Sequence, residues 1–140
     1  MSACQYHAFK EKNSERKKII FGGSEIAVVN SDEVCIFHVQ SALDFLVSVN
    51  YETGSHCIVL NKESLTPDFF ILSTGIAGEI LQKVINYQFK IAIVGDFSVY
   101  TSKPLNDFIY ESNKGRDIFF VSSEEDAVEK LTNACKSATY

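Results

Sequence analysis

Tryptophan is absent, and there are only two prolines, one methionine and four cysteines among 140 residues. So little proline, with seven glycines, excludes a collagen-like or low-complexity chain. The cysteines, Cys4, Cys35, Cys57 and Cys135, form no C-x-x-C pair and have no histidine at ligand spacing, so neither a metal site nor a redox motif is expected. Cys57 lies within an apolar run and is expected to be a buried free thiol, and unpaired thiols of this kind fit a reducing cytoplasm. No apolar run approaches the roughly 20 residues that span a bilayer, and no apolar segment precedes Ile19, so neither a membrane partner nor a secretory leader is expected. Acidic residues outnumber basic ones eighteen to thirteen, and a pI near 5.1 argues against nucleic acid as a partner.

What remains is a chain that is 46% apolar, long enough for one domain with its own core. Charge is uneven. Residues 1–18 carry Lys10, Lys12, Arg16, Lys17 and Lys18 against Glu11 and Glu15. Residues 1–17 are read as a solvated basic arm, 18–135 as a single α/β domain and 136–140 as a frayed tail.

Along the domain the apolar pattern changes period. Lys18–Phe21 and Ile26–Val29 are β-like runs about Gly22-Gly23, which reads as a hairpin turn needing positive φ, with Ser24 and Glu25 completing the connection. Val39, Ala42, Leu43, Leu46 and Val49 then recur at helical spacing, ending near Gly54. Cys57–Leu60, Phe89–Val94 and Ile118–Val121 are short apolar runs, as in strands covered on both faces. Thr66-Pro67-Asp68 reads as a helix start, and Ile76, Ile80, Leu81, Val84 and Ile85 form a second stripe after Ser73-Thr74-Gly75. Pro104 opens a third helix with Gly115 expected as its left-handed cap, and Ser122 with Glu125 forms a capping-box pattern before the last. Phe69-Phe70 reads as core, and Phe119-Phe120 as a pair facing opposite sides of the sheet. The implied fold is α/β: a hairpin, then alternating strands and helices, giving a mostly parallel five-stranded sheet with the Lys18–Phe21 strand at or near an edge.

The segments LSTGIAGEILQK and IAIVGDFS, followed by SKPLNDFIYESNKG and IFFVSSEEDAVEKL, closely resemble the bacterial domain of unknown function 4180 from about Ile19 to Leu131. That resemblance carries no reaction with it. A more distant resemblance is to the STAS domain of anti-sigma factor antagonists, which shares the order of strands and helices. STAS proteins place Ser-Ser-Gly before the helix that follows a strand like Ile58-Val59-Leu60-Asn61. Here Ser73-Thr74-Gly75 stands in that place. In STAS proteins the first serine follows an aspartate and accepts phosphate from a partner kinase; here Leu72 precedes Ser73, and the loop is longer. The resemblance implies a STAS-like architecture with a phospho-switch or anion-binding turn at Ser73, Thr74 and Gly75.

No catalytic set emerges from the residues. His7, His38 and His56 are scattered, His38 reads as a capping or packing residue, and neither phosphate-loop glycine pattern is present. The lone Gly75-x-x-Gly78 reads as close helix packing. In open parallel sheets ligands and partners gather at the carboxyl ends of strands, which places Asn61, Asp96 and Ser98 on a rim for a ligand or partner. Lys62, Glu63 and Asp68 read as solvated. Two functions follow. The first is a non-catalytic regulatory or protein-interaction module, with another protein or a second copy as partner and no cofactor. The alternative is a small-ligand-binding protein or enzyme using the carboxyl rim. A concave rim favours the alternative, and a flat rim with exposed apolar residues favours the first.

Overall fold

The computed structural model describes residues 14–21 and 23–137. Five strands form one sheet in sequential order: β1 (Ser14–Phe21), β2 (Ser24–Ser31), β3 (Cys57–Asn61), β4 (Lys90–Val94) and β5 (Ile118–Val121). β1 is antiparallel to β2, and the other neighbours are parallel. Among the described residues four α-helices accompany them: α1 (Val39–Thr53), α2 (Ile76–Asn86), α3 (Lys103–Lys114) and α4 (Glu124–Ser137). This is an α/β fold with a mixed, mostly parallel sheet.

Local chemistry sets each element. Phe21 pairs with Ser24, so Ser24 and Glu25 belong to β2 rather than to the connection, and Gly22 lies outside the described residues. Gly23 takes φ 85°, the left-handed region that glycine enters without a Cβ clash. The first strand starts at Ser14 rather than Lys18, so residues 14–17 of the expected arm pair in the sheet. Residues 1–13 and 138–140 lie outside the described residues, and α4 runs on to Ser137. His38 caps α1, its Nδ1 accepting from Ser41 N while Ser41 Oγ accepts from His38 N, and Gly54 closes the helix at φ 80°. Two expected caps differ. Gly115 is extended at φ −91°, and Ser123, not Ser122, caps α4 by accepting from Asp126 N.

The layers follow from the strand order. Sequential parallel strands joined by crossovers of one hand place every crossover helix on one face. Ala42, Leu46, Ala77, Ile80 and Leu105 accordingly pack with Ala27, Val29, Ile58, Leu60, Ile91, Ile93 and Phe120. Among the described residues α4 alone covers the other face, where Ala127, Val128, Leu131 and Ala134 meet Ile26, Val28, Val59, Ala92 and Phe119. Phe119 and Phe120 therefore divide between the faces as strand alternation requires.

Both sheet edges are tied to helices. Arg16 on β1 is buried beneath α1, donating to Glu52 and Ser48 with its guanidinium 5.1 Å from the Phe45 ring centre. On β5, Asn113 of α3 stands in for a missing strand. Its Oδ1 accepts from Phe120 N at 2.7 Å and its Nδ2 donates to Phe120 O at 3.2 Å. One expectation is overturned: Cys57 is not a free thiol but is joined to Cys135 of α4 across the single-helix face, while Cys35 is free. Seventy-eight residues separate the pair, so the contact depends on α4 lying across β3 and was invisible as spacing.

Candidate functional site

At the end of β3, Asn61 extends the β2–β3 ladder with its side chain. Its Oδ1 accepts from Ser31 N at 2.9 Å and its Nδ2 donates to Ser31 O at 2.7 Å. Nδ2 also donates to Glu63 Oε1 at 3.2 Å. Ser64 O then accepts from both Cys35 N and Ile36 N, bracing the segment beyond the strands. Asn61 thus sits on the rim with its amide engaged by the scaffold.

Lys62 is not the solvated side chain its type suggests. It is half-buried, with its ammonium 4.6 Å from the Tyr100 ring centre and 5.9 Å from those of Phe70 and Phe97. Nζ also donates to Asp96 O at 3.2 Å. Phe70 and Tyr100 stack at 5.0 Å, and Phe97 meets Phe120 edge-on at 5.3 Å. A cation over several ring faces is held by their quadrupoles. The density of aromatics at 69, 70, 97 and 100 was the sequence signal for this cluster, but their convergence needed the topology.

From Thr66 the chain makes two 3₁₀ turns, Pro67–Phe70 and Leu72–Thr74, where an α-helix was expected. The start signal is real, since Thr66 Oγ1 accepts from Asp68 N, but the turn stops once Phe69 and Phe70 are buried. Ser73, Thr74 and Gly75 are all exposed, and Ile71 beside them is half uncovered. Thr74 Oγ1 donates towards Asp68 O and Ile71 O and accepts from Ile76 N, the first amide of α2. Gly75 is the junction, at φ 80° with no side-chain cap. Gly78 has open space around its Cα, so the Gly75-x-x-Gly78 spacing does not mark close helix packing.

The β4 and β5 ends form a separate concavity of about 700 Å³. Phe97, Phe120 and Val121 supply its apolar surface, with Asp96 and Ser98 on one side and Ser122, Asp126, Glu129 and Lys130 on the other. Asp96 Oδ1 accepts from Ser98 Oγ at 2.6 Å and Ser98 N at 3.0 Å. The hydroxyl bond first, then the backbone N–H, hold the Asp96 carboxyl below its usual range, with the Lys62 charge acting in the same sense. The rim residues Asp96 and Ser98 thus come together here, whereas Asn61 and the Ser73 turn do not line this cavity. Sequence reasoning missed Asp126, Glu129 and Lys130, which reach it from α4 only because that helix crosses the second face.

The arrangement offers carboxylates, hydroxyls and aromatic faces, and among the described residues no nucleophile is held by a base. His38 caps α1 and His56 sits against Phe89, while His7 lies outside the described residues. Among the described residues no His, Cys, Asp and Glu group could hold a metal ion, and no helix is long and apolar enough to cross a membrane. No curated protein and no solved structure matches the chain significantly. A family profile matches residues 21–131, and the chain belongs to that family, the domain of unknown function DUF4180.

Proposed function

We propose that this chain is a non-catalytic regulatory or protein-interaction module of STAS-like architecture, meeting its partner through the Ser73-Thr74-Gly75 turn. The observation that carries this reading is the exposure of Ser73 and Thr74 on a 3₁₀ turn leading into α2, with exposed Ile71 beside them. A phosphate on Ser73 would lie near the positive N-terminal end of α2. It would also add nearly two negative charges to an acidic surface, releasing an acidic partner or recruiting one that offers arginine. The test is capture of partners by the wild type, Ser73→Asp and Ser73→Ala chains, with cross-links mapped by mass and native mass recording any second copy. Cross-links at 71–78 that Ser73→Asp abolishes support the module. Unchanged capture by both variants overturns the switch.

The concavity at the β4 and β5 ends favours the second reading, a small-ligand site. Six of its ten lining residues, Asp96, Ser98, Ser122, Asp126, Glu129 and Lys130, are exposed. Ligand pockets enclose most of their ligand, so an open rim of this kind supports this reading less well than the interaction module. A thermal-shift screen of small cations and polyols separates the two. A rise in melting temperature that Asp96→Asn removes would favour the ligand site.

A further inference from the structure

We propose that Cys57 and Cys135 form a reversible redox latch that fixes the last turns of α4 against the sheet. Three observations converge. The two sulfurs, 78 positions apart in sequence, meet between β3 and α4, so the pair is a product of the fold. Among the described residues α4 is the sole helix on its face and ends near this contact, so its last turns are held by the packing of Leu131 and Ala134 on the sheet together with this pair. Thr132, one turn before Cys135, is buried with an Oγ1 that has no hydrogen-bond partner, so a buried polar group beside the pair is left unsatisfied. The Cα atoms lie 7.7 Å apart, beyond the roughly 4.4–6.8 Å usual for a disulfide, so this spacing also suits two thiols side by side and full closure of the bond draws α4 slightly towards β3. Cys57 is nearly covered and Cys135 half-covered, which makes Cys135 the sulfur that reaches an external reagent first.

The step balances with a low-molecular-weight disulfide of the glutathione class as oxidant. The Cys135 thiolate attacks that disulfide and releases one thiol. Cys57 then loses its proton and displaces the second thiol from Cys135, forming the internal bond. The electron pair ends on the two released thiols. Reduction reverses each exchange. Asp126, Glu129 and Lys130 lie on the same helix, so closing the latch also fixes one wall of the β4–β5 cavity.

The experiment uses the full chain carrying Cys4→Ser and Cys35→Ser, which leaves only this pair. It is equilibrated in glutathione buffers of graded ratio, then alkylated and weighed. The expected result is loss of two hydrogens and of both alkylation sites in oxidising buffer, reversed by reductant. Amide exchange across 124–137 should slow by about tenfold or more in the oxidised form. Adding Cys135→Ser should abolish both effects, and Cys57→Ala gives an independent check should that serine variant fold poorly. Two alkylatable thiols in every buffer, or a bond that leaves exchange in α4 unchanged, would overturn the latch.

Discussion

A Cβ built at Gly95 would lie 2.7 Å from Lys62 Cβ and 2.9 Å from its Cδ. Those are distances that atoms do not share, and the nearest is the base of the lysine stem rather than its flexible end. Gly95 is therefore small so that Lys62 can cross the end of β4 and reach the rings of Phe70, Phe97 and Tyr100. Gly95→Ala should cost about 1–3 kcal/mol in urea melts. Lys62→Gly in the same chain should recover part of that loss, and strict additivity would show that the two residues are not coupled. Asp96 gives a second test beside it. Its folded pKa lies below the ordinary value, so its ionised form favours the folded state at every pH above the unfolded pKa. That contribution is lost as pH falls through the lowered folded value. Ser98→Ala should move the Asp96 titration, followed by carboxyl NMR, back up towards 3.8. No movement would mean that the Ser98 hydroxyl is not the main cause.

Among elements, what was legible in sequence was whatever local chemistry decides. The apolar runs of β3, β4 and β5, the stripe of α1 and the turn at Gly23 all announce themselves, since period and turn residues act within a few positions. The His38 cap of α1 was legible for the same reason. Less legible was how far elements extend. β1 reaches back to Ser14 because Arg16 finds Glu52 and Phe45 on α1, a contact no local pattern carries. The Thr66 helix start became a 3₁₀ turn because burying Phe69 and Phe70 outweighs helix continuation. Of the rim residues named from sequence, Asp96 and Ser98 fell together because they are two positions apart, while the α4 contribution required knowing which face that helix covers. Asn113 was wholly invisible, since nothing local marks an asparagine as an edge cover. Asn113→Ala should leave Phe120 N and O unpaired on a half-buried edge and cost roughly 1–3 kcal/mol in urea. It should also expose β5 to pairing with other chains, seen as concentration-dependent light scattering. A stable, monodisperse variant would show that water replaces the amide without penalty.

At the scale of the whole molecule, the sheet is unequally clothed, with three helices on one face and α4 on the other among the described residues. Each face has its own apolar cluster, and the central strands β2, β3 and β4 supply side chains to both. Because alternate residues of the same strand belong to opposite layers, neither layer can loosen without disturbing the backbone that presents the other. One cooperative unit follows from that geometry. Ile93 of β4 and Leu131 of α4 are both fully buried, in the three-helix and single-helix layers respectively. Replacing either with alanine should cost roughly 2–5 kcal/mol, the transfer of the lost methyl groups plus the cavity left behind. The two losses should add in the double variant within about 0.5 kcal/mol, since the sheet separates the sites. The Leu131→Ala melt is the decisive measurement, made with reductant present so that the Cys57–Cys135 bond plays no part. If the domain is one unit, far-ultraviolet dichroism and tyrosine fluorescence will report a single coincident transition at a lower urea midpoint. If α4 is only an applied cover, its helical signal will fall first while the three-helix layer persists, and two transitions will separate.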